Sequence, residues 1–202
     1  MQLAPTHSIG DAFNLPGWHH AGTSNSKGGP VERLATPPTA EEIKAMLGLK
    51  PHPTCGFVAE TYRSPLKIPA SALPEAYEGD RPYGSALYFL VTPDAQIVMH
   101  RIRSDQLYHH YLGDSLEVLM LYPDGSGNIA TVGPDLAAGA RPQLFIPGQT
   151  FHTSRLAPGA SYALLASTEW PGVEPPDVEH GDIQALMEAY PDFREQIRAF
   201  AA

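Results

Sequence analysis

The segment VMHRIRSDQLYHHYLGDSLEVLML collects side chains that can carry protons, among them His100, His109 and His110. Imidazole has an unperturbed pKa of about 6.5, so a histidine can accept or donate a proton at neutral pH. If this segment forms a β-strand, alternation turns Gln106, Tyr108 and His110 to one face and His109 to the other. A bulge at the start of the strand would bring both neighbouring imidazoles to one side. The segment therefore predicts a site for proton transfer.

A second candidate group lies on the segment GFVAETYRS, where Glu60 and Tyr62 share one strand face. A charged carboxylate on an otherwise apolar face costs free energy unless it is paired. Two interpretations of Glu60 stay open. It forms a salt bridge to Arg101 or Arg103, or it orients or shares a proton in catalysis. Tyr62 is a candidate hydrogen-bond donor to a developing oxyanion.

These residues must be positioned by strands. Nine segments are short, rich in β-branched and aromatic residues, and separated by Gly, Pro or Asp turns: GFVAETYRS, GSALYFLV, AQIVMHRI, QLYHHYLG, LEVLMLY, GNIATVG, PQLFIPG, TFHTSRL and SYALLASTEW. Nine strands at this spacing predict an all-β fold, an antiparallel sandwich or barrel.

Helices are expected at two places. Before the strands, Thr39 and Glu42 have the spacing of a capping box and Gly48 ends the helix, with Ile43 in its apolar stripe together with Met46 and Leu47. After the strands, GDIQALMEAYPDFREQIRAF returns to a helical pattern, and Pro191 splits it into two short helices. We expect Leu186, Phe193, Ile197 and Phe200 to be buried there.

Three regions follow from this pattern. Residues 1–38 are rich in Pro and Gly, lack periodicity and read as an irregular arm. Residues 39–175 form the β domain, and residues 176–202 form a C-terminal helical tail packed on the same domain. Since a sandwich leaves edge strands that must be covered, we expect a homodimer, through sheet contact or exchange of the arm.

Composition excludes several classes of protein. The net charge of −9 would repel a nucleic-acid backbone, and the 13 Lys and Arg residues are scattered along the chain. No apolar run approaches the roughly 20 residues of a membrane helix. The single cysteine, Cys55, cannot form an internal disulfide, and we expect no signal peptide because no charged region followed by an apolar region is found in the first residues. We therefore expect a cytoplasmic protein with a small-molecule ligand, and no nucleic-acid or membrane partner.

Two parts of the chain resemble the two motifs of the cupin superfamily. The first runs from His100 through Ile102 and Gln106 to Gly113, and the second is PGQTFH, which ends at His152. Together with LGLKPHPTCGFVAETYRS and SALYFLVTP, they are similar to the small cupin group known as DUF985, which shares an ETYRS segment and an HR…SD segment. The likeness runs from the predicted first helix to the last strand and implies a jelly-roll barrel.

The resemblance also implies a site for one divalent metal ion, with His100, Gln106 and His152 as its ligands and Fe, Mn, Ni, Zn or Cu not distinguished. This sequence departs from the superfamily pattern twice. Ile102 stands where a second histidine is usual, and Gln106 stands where a glutamate is usual, so the two histidines are equally compatible with a metal-free pocket. Members of the group place a histidine at position 109, which makes His109 a candidate beside its neighbour. No organic cofactor is expected.

Two functions from different classes remain. The first is an enzyme, an isomerase or epimerase or a lyase or dehydratase, that acts by acid–base chemistry on a small oxygenated metabolite or sugar derivative. His110 or His109 would carry the proton, Tyr108 or Tyr62 would stabilise the oxyanion, and Glu60 would orient or share the proton. The alternative is a non-catalytic cupin that binds a small ligand in the same pocket. Fold alone does not choose between them.

Overall fold

The computed structural model describes residues 37–75 and 77–201, so residues 1–36 of the predicted arm lie outside the described part. Two antiparallel sheets carry most of the described chain. The helices and strands, in chain order, are α1 (Ala40–Leu47), β1 (Lys50–Pro51), β2 (Phe57–Arg63), β3 (Lys67–Ile68), β4 (Arg81–Pro82), β5 (Ser85–Val91), β6 (Ile97–Ile102), β7 (Asp105–Gly113), β8 (Leu116–Leu121), β9 (Gly127–Val132), β10 (Gln143–Ile146), β11 (Phe151–Leu156), β12 (Ala163–Trp170), β13 (Val178–His180), α2 (Ile183–Ala189) and α3 (Arg194–Phe200).

All nine predicted strands are confirmed, as β2 and β5 to β12. One sheet has the order β1-β2-β5-β12-β7-β10, and the other has the order β13-β6-β11-β8-β9. The four remaining strands are only two or three residues long, which is too short for a periodic hydrophobic signal to register in the sequence. The all-β jelly roll with flanking short helices is therefore as predicted.

The main core lies between the two sheets, because alternate residues of each long strand point inward. In β8 these are Leu116, Val118 and Met120, and the facing β12 contributes Ala163 and Leu165. The residues between them point outward, where the helices cover part of each sheet. Both sheets thus contribute one face to the core and leave the other for packing.

Helix α1 begins at Thr39, whose side chain and that of Glu42 form the predicted capping box, and it ends at Gly48 in the left-handed conformation. It packs Ile43 against Leu90 and Leu164 on the outer face of the six-stranded sheet. The predicted apolar stripe is wrong in part, since Met46 is 63% exposed. Ile43 is the residue of the helix that is buried against the sheet.

The C-terminal tail packs on the outer face of the five-stranded sheet. Leu186 of α2 and Ile197 and Phe200 of α3 are buried there, as predicted, while Phe193 is only partly buried. A single 3-10 turn at Pro191–Phe193 separates the two helices, because proline cannot donate the next helical hydrogen bond. None of the described helices is long and apolar enough to cross a membrane.

One irregularity of the sheet lies beside the two neighbouring histidines of β7. Where β7 pairs with β12, Leu165 lies opposite His110 but Leu164 lies opposite Leu112, so Tyr111 is an extra residue on β7. This is a β-bulge, which interrupts the alternation of faces. It follows the two histidines rather than preceding them, and therefore leaves His109 on the outer face.

Candidate active site

A cavity of about 420 Å³ lies between the two sheets, which is within the range of small-molecule pockets. Its deepest polar side chains come from four different strands of the two sheets. Its mouth is formed by β2, by the loop before β2 and by the chain that follows β12. The polar residues of the deep wall are Ser85, His100, Gln106, Tyr108, Ser167 and Glu169.

His100 in β6 and His152 in β11 are paired directly across neighbouring strands. Their ring centroids are 4.3 Å apart. The Nδ1 atom of His100 lies 2.7 Å from the carbonyl oxygen of Val98, and that of His152 lies 3.2 Å from the carbonyl oxygen of Thr150. A carbonyl only accepts hydrogen bonds, so both Nδ1 atoms carry the proton and both Nε2 atoms present a lone pair.

Burial holds both imidazoles in the neutral form. It lowers the pKa of His100 from its ordinary 6.5 to about 4, against a smaller opposing effect of the Val98 hydrogen bond. Burial and the neighbouring His100 lower the pKa of His152 well below its usual value. Neither ring therefore acts as a general acid at neutral pH. The Nε2 atom of His100 offers the cavity a hydrogen-bond acceptor.

His152 has no contact with the cavity, since its neighbours enclose it. The hydroxyl of Tyr108 donates to its Nε2 atom at 3.2 Å, and the amide nitrogen of Gln106 lies 3.4 Å from the same atom. Burial raises the pKa of Tyr108 well above its usual value. The pair is thus a neutral phenol donating to a neutral imidazole, with only the phenol lining the pocket.

Sequence reasoning missed a carboxylate in the deep wall. Glu169 in β12 lies between Ser85 of β5 and Gln106 of β7 in the strand register. It is only 4% exposed, and the hydroxyl of Ser85 donates to its Oε2 atom at 2.7 Å. Burial raises the pKa of Glu169, although the hydrogen bond from Ser85 opposes the shift. The sequence did contain a signal for this residue, namely a glutamate on the otherwise apolar face of the segment SYALLASTEW.

The mouth of the cavity carries an ion-pair cluster. Arg63 donates through Nε and Nη2 to Glu60, at 2.9 and 2.6 Å, and through Nη1 to Glu174 at 3.0 Å. Glu60 is therefore paired, as one of the two sequence interpretations required, but its partner is neither Arg101 nor Arg103. Arg101 instead pairs with Glu179.

Three predicted site residues lie away from the cavity lining. The Nε2 atom of His109 is 3.0 Å from the Thr168 hydroxyl on the outer face of the six-stranded sheet. The Nε2 atom of His110 donates to the carbonyl of Asp114 at 3.0 Å, at the end of β7. Tyr62 is 49% exposed. Alternation from Tyr108 leaves His109 on the outer face, and His110 lies at the end of β7 outside the cavity lining, while Tyr108, Glu60, His100 and Gln106 do line it.

The predicted ligand set does not fit a strongly held divalent metal ion. The Nε2 atom of His152 already accepts from Tyr108, and the amide oxygen of Gln106 accepts from Ser167 at 3.4 Å. Within residues 37–75 and 77–201, no group of three or more His, Cys, Asp or Glu side chains is arranged to hold a metal. Two imidazoles and a neutral amide are a weak set for the transition metals that this fold accommodates.

Comparison with known proteins agrees with the architecture. A curated yeast protein, "Uncharacterized protein YML079W" of Saccharomyces cerevisiae, is 27% identical over 116 residues, which cover 55% of this chain and 58% of that protein. The chain therefore spans little more than half the length of that relative. A "Hypothetical protein from Leishmania major" has a TM-score of 0.74 and 28% identity, over 81% of this chain and 99% of that one.

Protein SO0799 from Shewanella oneidensis is similar to the same degree, with a TM-score of 0.71 and 27% identity over 82% of this chain and 98% of that one. The family model described as "Cupin superfamily (DUF985)" matches residues 41–181. That match covers more than half of the chain and includes both motifs and the whole deep wall of the cavity. The chain belongs to the cupin superfamily, in the family described as DUF985.

Proposed function

We propose that the protein is a small-molecule enzyme that moves a proton on a hydroxy-carbonyl compound, as an isomerase or a lyase. The observation that carries this proposal is Glu169, a carboxyl group buried in the deep wall of the cavity. Its raised pKa brings its titration closer to neutral pH, which is where a general acid or base is most effective. The role that the sequence suggested for His110 or His109 passes to this residue.

The chemistry follows from the groups around it. Ionised Glu169 takes the proton from the carbon next to the carbonyl, and the C–H electron pair moves to form the enolate. A hydrogen bond from the Gln106 amide stabilises the developing oxyanion. The isomer forms when the hydroxyl proton on the α-carbon passes to the former carbonyl oxygen and Glu169 returns the abstracted proton to the former carbonyl carbon. Water is eliminated instead when the enolate electron pair expels the β-hydroxyl group, which takes the proton from Glu169. No step requires a metal ion.

A non-catalytic binding cupin is the second candidate, and the neutral histidines favour it. With the pKa of His100 at about 4, the imidazole in the pocket acts as a fixed hydrogen-bond acceptor rather than as a proton shuttle. The same wall would then orient a ligand and return it unchanged. The two candidates differ only in whether Glu169 exchanges a proton with carbon.

The test is proton exchange in deuterated water. The protein is incubated with a panel of aldoses, ketoses and hydroxy-keto acids, and deuterium at carbon is followed by NMR. Glu169→Gln keeps the acceptor for Ser85 but removes the base, so exchange should fall at least about 100-fold. Glu117→Gln, an exposed carboxylate paired with Arg155, should match the wild type. Binding without exchange by the wild type would establish the binding protein instead.

We also propose a homodimer. Besides the edge strands, the outer face of the six-stranded sheet leaves Tyr111 50% exposed and Leu112 44% exposed, next to Met46 and Leu47 of α1. Large apolar side chains clustered on a surface are typical of interaction sites. Light scattering should report twice the mass of one chain at micromolar concentration, and a monomer would contradict the proposal.

A further inference from the structure

The hydroxyl hydrogens of the deep wall are already donated within the protein. The Ser85 hydroxyl donates to Glu169, and the Ser167 hydroxyl donates to Gln106. The Tyr108 hydroxyl donates to His152. A hydroxyl has only one hydrogen to donate. These three side chains therefore offer the cavity lone pairs rather than donors.

Two stronger acceptors face the same space. His100 is only 4% exposed, and its Nε2 lone pair has no hydrogen-bond partner among residues 37–75 and 77–201. A ligand in the cavity that donates to this unpaired acceptor gains a hydrogen bond. Glu169 has room for further donors, because an ionised carboxylate accepts at about four positions. The ligand must consequently bring hydrogen-bond donors.

The charges of the cavity disfavour an anionic ligand. Arg63 is the only Lys or Arg side chain that lines the cavity in the described part of the chain. Its donors already serve Glu60, Glu174 and the carbonyl of Val173. The two carboxylates at the mouth outnumber the one guanidinium. A carboxylate or phosphate on the ligand would have to displace one of them and would face the excess negative charge.

The only thiol in the cavity adds no charge either. Burial raises the pKa of Cys55 to about 12, and Glu169 contributes to the shift. The thiol is therefore protonated at neutral pH. It presents a small, weakly polar surface beside Val58 and Leu87, which suits the carbon skeleton of a ligand.

We infer that the cavity selects a hydroxyl-rich ligand without an anionic group and discriminates against carboxylates and phosphates of the same size. This inference rests on the proposed function only in taking the cavity as the ligand site. Selection comes from the acceptors His100 and Glu169 at the deep end and from the occupied Arg63 at the mouth. A protonated amine is tolerated, because the excess charge is negative.

Three six-carbon chains that differ only at carbon 1 test this: sorbitol, gluconate and 1-amino-1-deoxysorbitol. Dissociation constants are measured by NMR titration at pH 7.5. Sorbitol and the amine should bind at least 10-fold more tightly than gluconate. Gluconate binding as tight as sorbitol binding would overturn the inference, and so would failure of both sorbitol and the amine to bind at tens of millimolar.

A variant that gains affinity for gluconate gives a second test. The double variant Glu60→Gln/Glu174→Gln frees the Arg63 guanidinium, so its affinity for gluconate should rise at least 10-fold. Glu117→Gln/Glu195→Gln makes the same change in net charge away from the cavity and should leave gluconate affinity unchanged. An equal rise in both variants would assign the effect to net charge alone. These are binding measurements, so the absence of deuterium exchange would refute the proposed reaction and leave this result intact.

Discussion

The buried histidine pair makes the stability of this protein sensitive to mild acid. In the unfolded chain His100 titrates near its ordinary pKa of 6.5, whereas in the folded protein burial lowers that pKa to about 4. Between these values the unfolded state binds the proton and the folded state does not. The free energy of unfolding therefore falls as the pH drops from 6.5 toward 4.

The difference between the two pKa values of His100 determines how much stability is lost. At pH 5 the linkage for His100 removes about 2 kcal/mol of stability, and at pH 4 it removes about 3 kcal/mol. His152 acts in the same direction, since its pKa is lowered as well. Urea unfolding followed by circular dichroism at pH 7, 6 and 5 measures the loss, in a range where most carboxylates remain ionised.

The variant His100→Gln isolates the effect. The quantity compared is the loss in the free energy of unfolding between pH 7 and pH 5, so any difference in stability between the variant and the wild type at pH 7 does not affect the comparison. That change should be about 2 kcal/mol smaller than in the wild type. His110→Gln, at a partly exposed position outside the cavity, is the matched control and should keep the wild-type dependence. Parallel curves for His100→Gln and wild type would refute the reasoning that burial holds this ring neutral.

Two further predictions concern buried charge and metal. Asp177, whose side chain is fully buried and bonded twice to Arg81 at 2.7 and 2.8 Å, anchors the chain at the cavity mouth. In urea unfolding, Asp177→Asn should lower the free energy of unfolding by about 3–5 kcal/mol. Glu195→Gln, in an exposed ion pair, should lower it by less than about 1 kcal/mol. Similar losses in the two variants would contradict this prediction. In elemental analysis, wild type and His152→Ala should both hold well under one divalent ion per chain, and Gln106→Glu should hold more because it supplies a carboxylate. A full equivalent that is lost in His152→Ala would show that the metal site exists.

Much of the fold was readable from local patterns. Period-two alternation and turn residues identify each long strand, and the Thr39–Glu42 capping box and Pro191 fix helix ends, because these signals depend only on near neighbours in the chain. The resemblance of the segments around His100 and His152 to the two cupin motifs likewise predicted two strands that bring their rings to the same interior. The tertiary structure confirms that these rings meet.

The sequence by itself thus determined the long strands, the helices and the family, and it identified β2, β6, β7 and β11 as carriers of candidate chemistry. Only the tertiary structure decided which groups face the pocket and in which protonation state. Glu169 joins the site because β12 pairs with both β5 and β7, and His109 stays outside it because no bulge precedes it on β7 to turn its side chain inward. Alternation along a strand is a local property, whereas register, bulges and depth of burial depend on strands that are distant in sequence. Burial then sets the pKa values, and with them the chemistry available to each side chain.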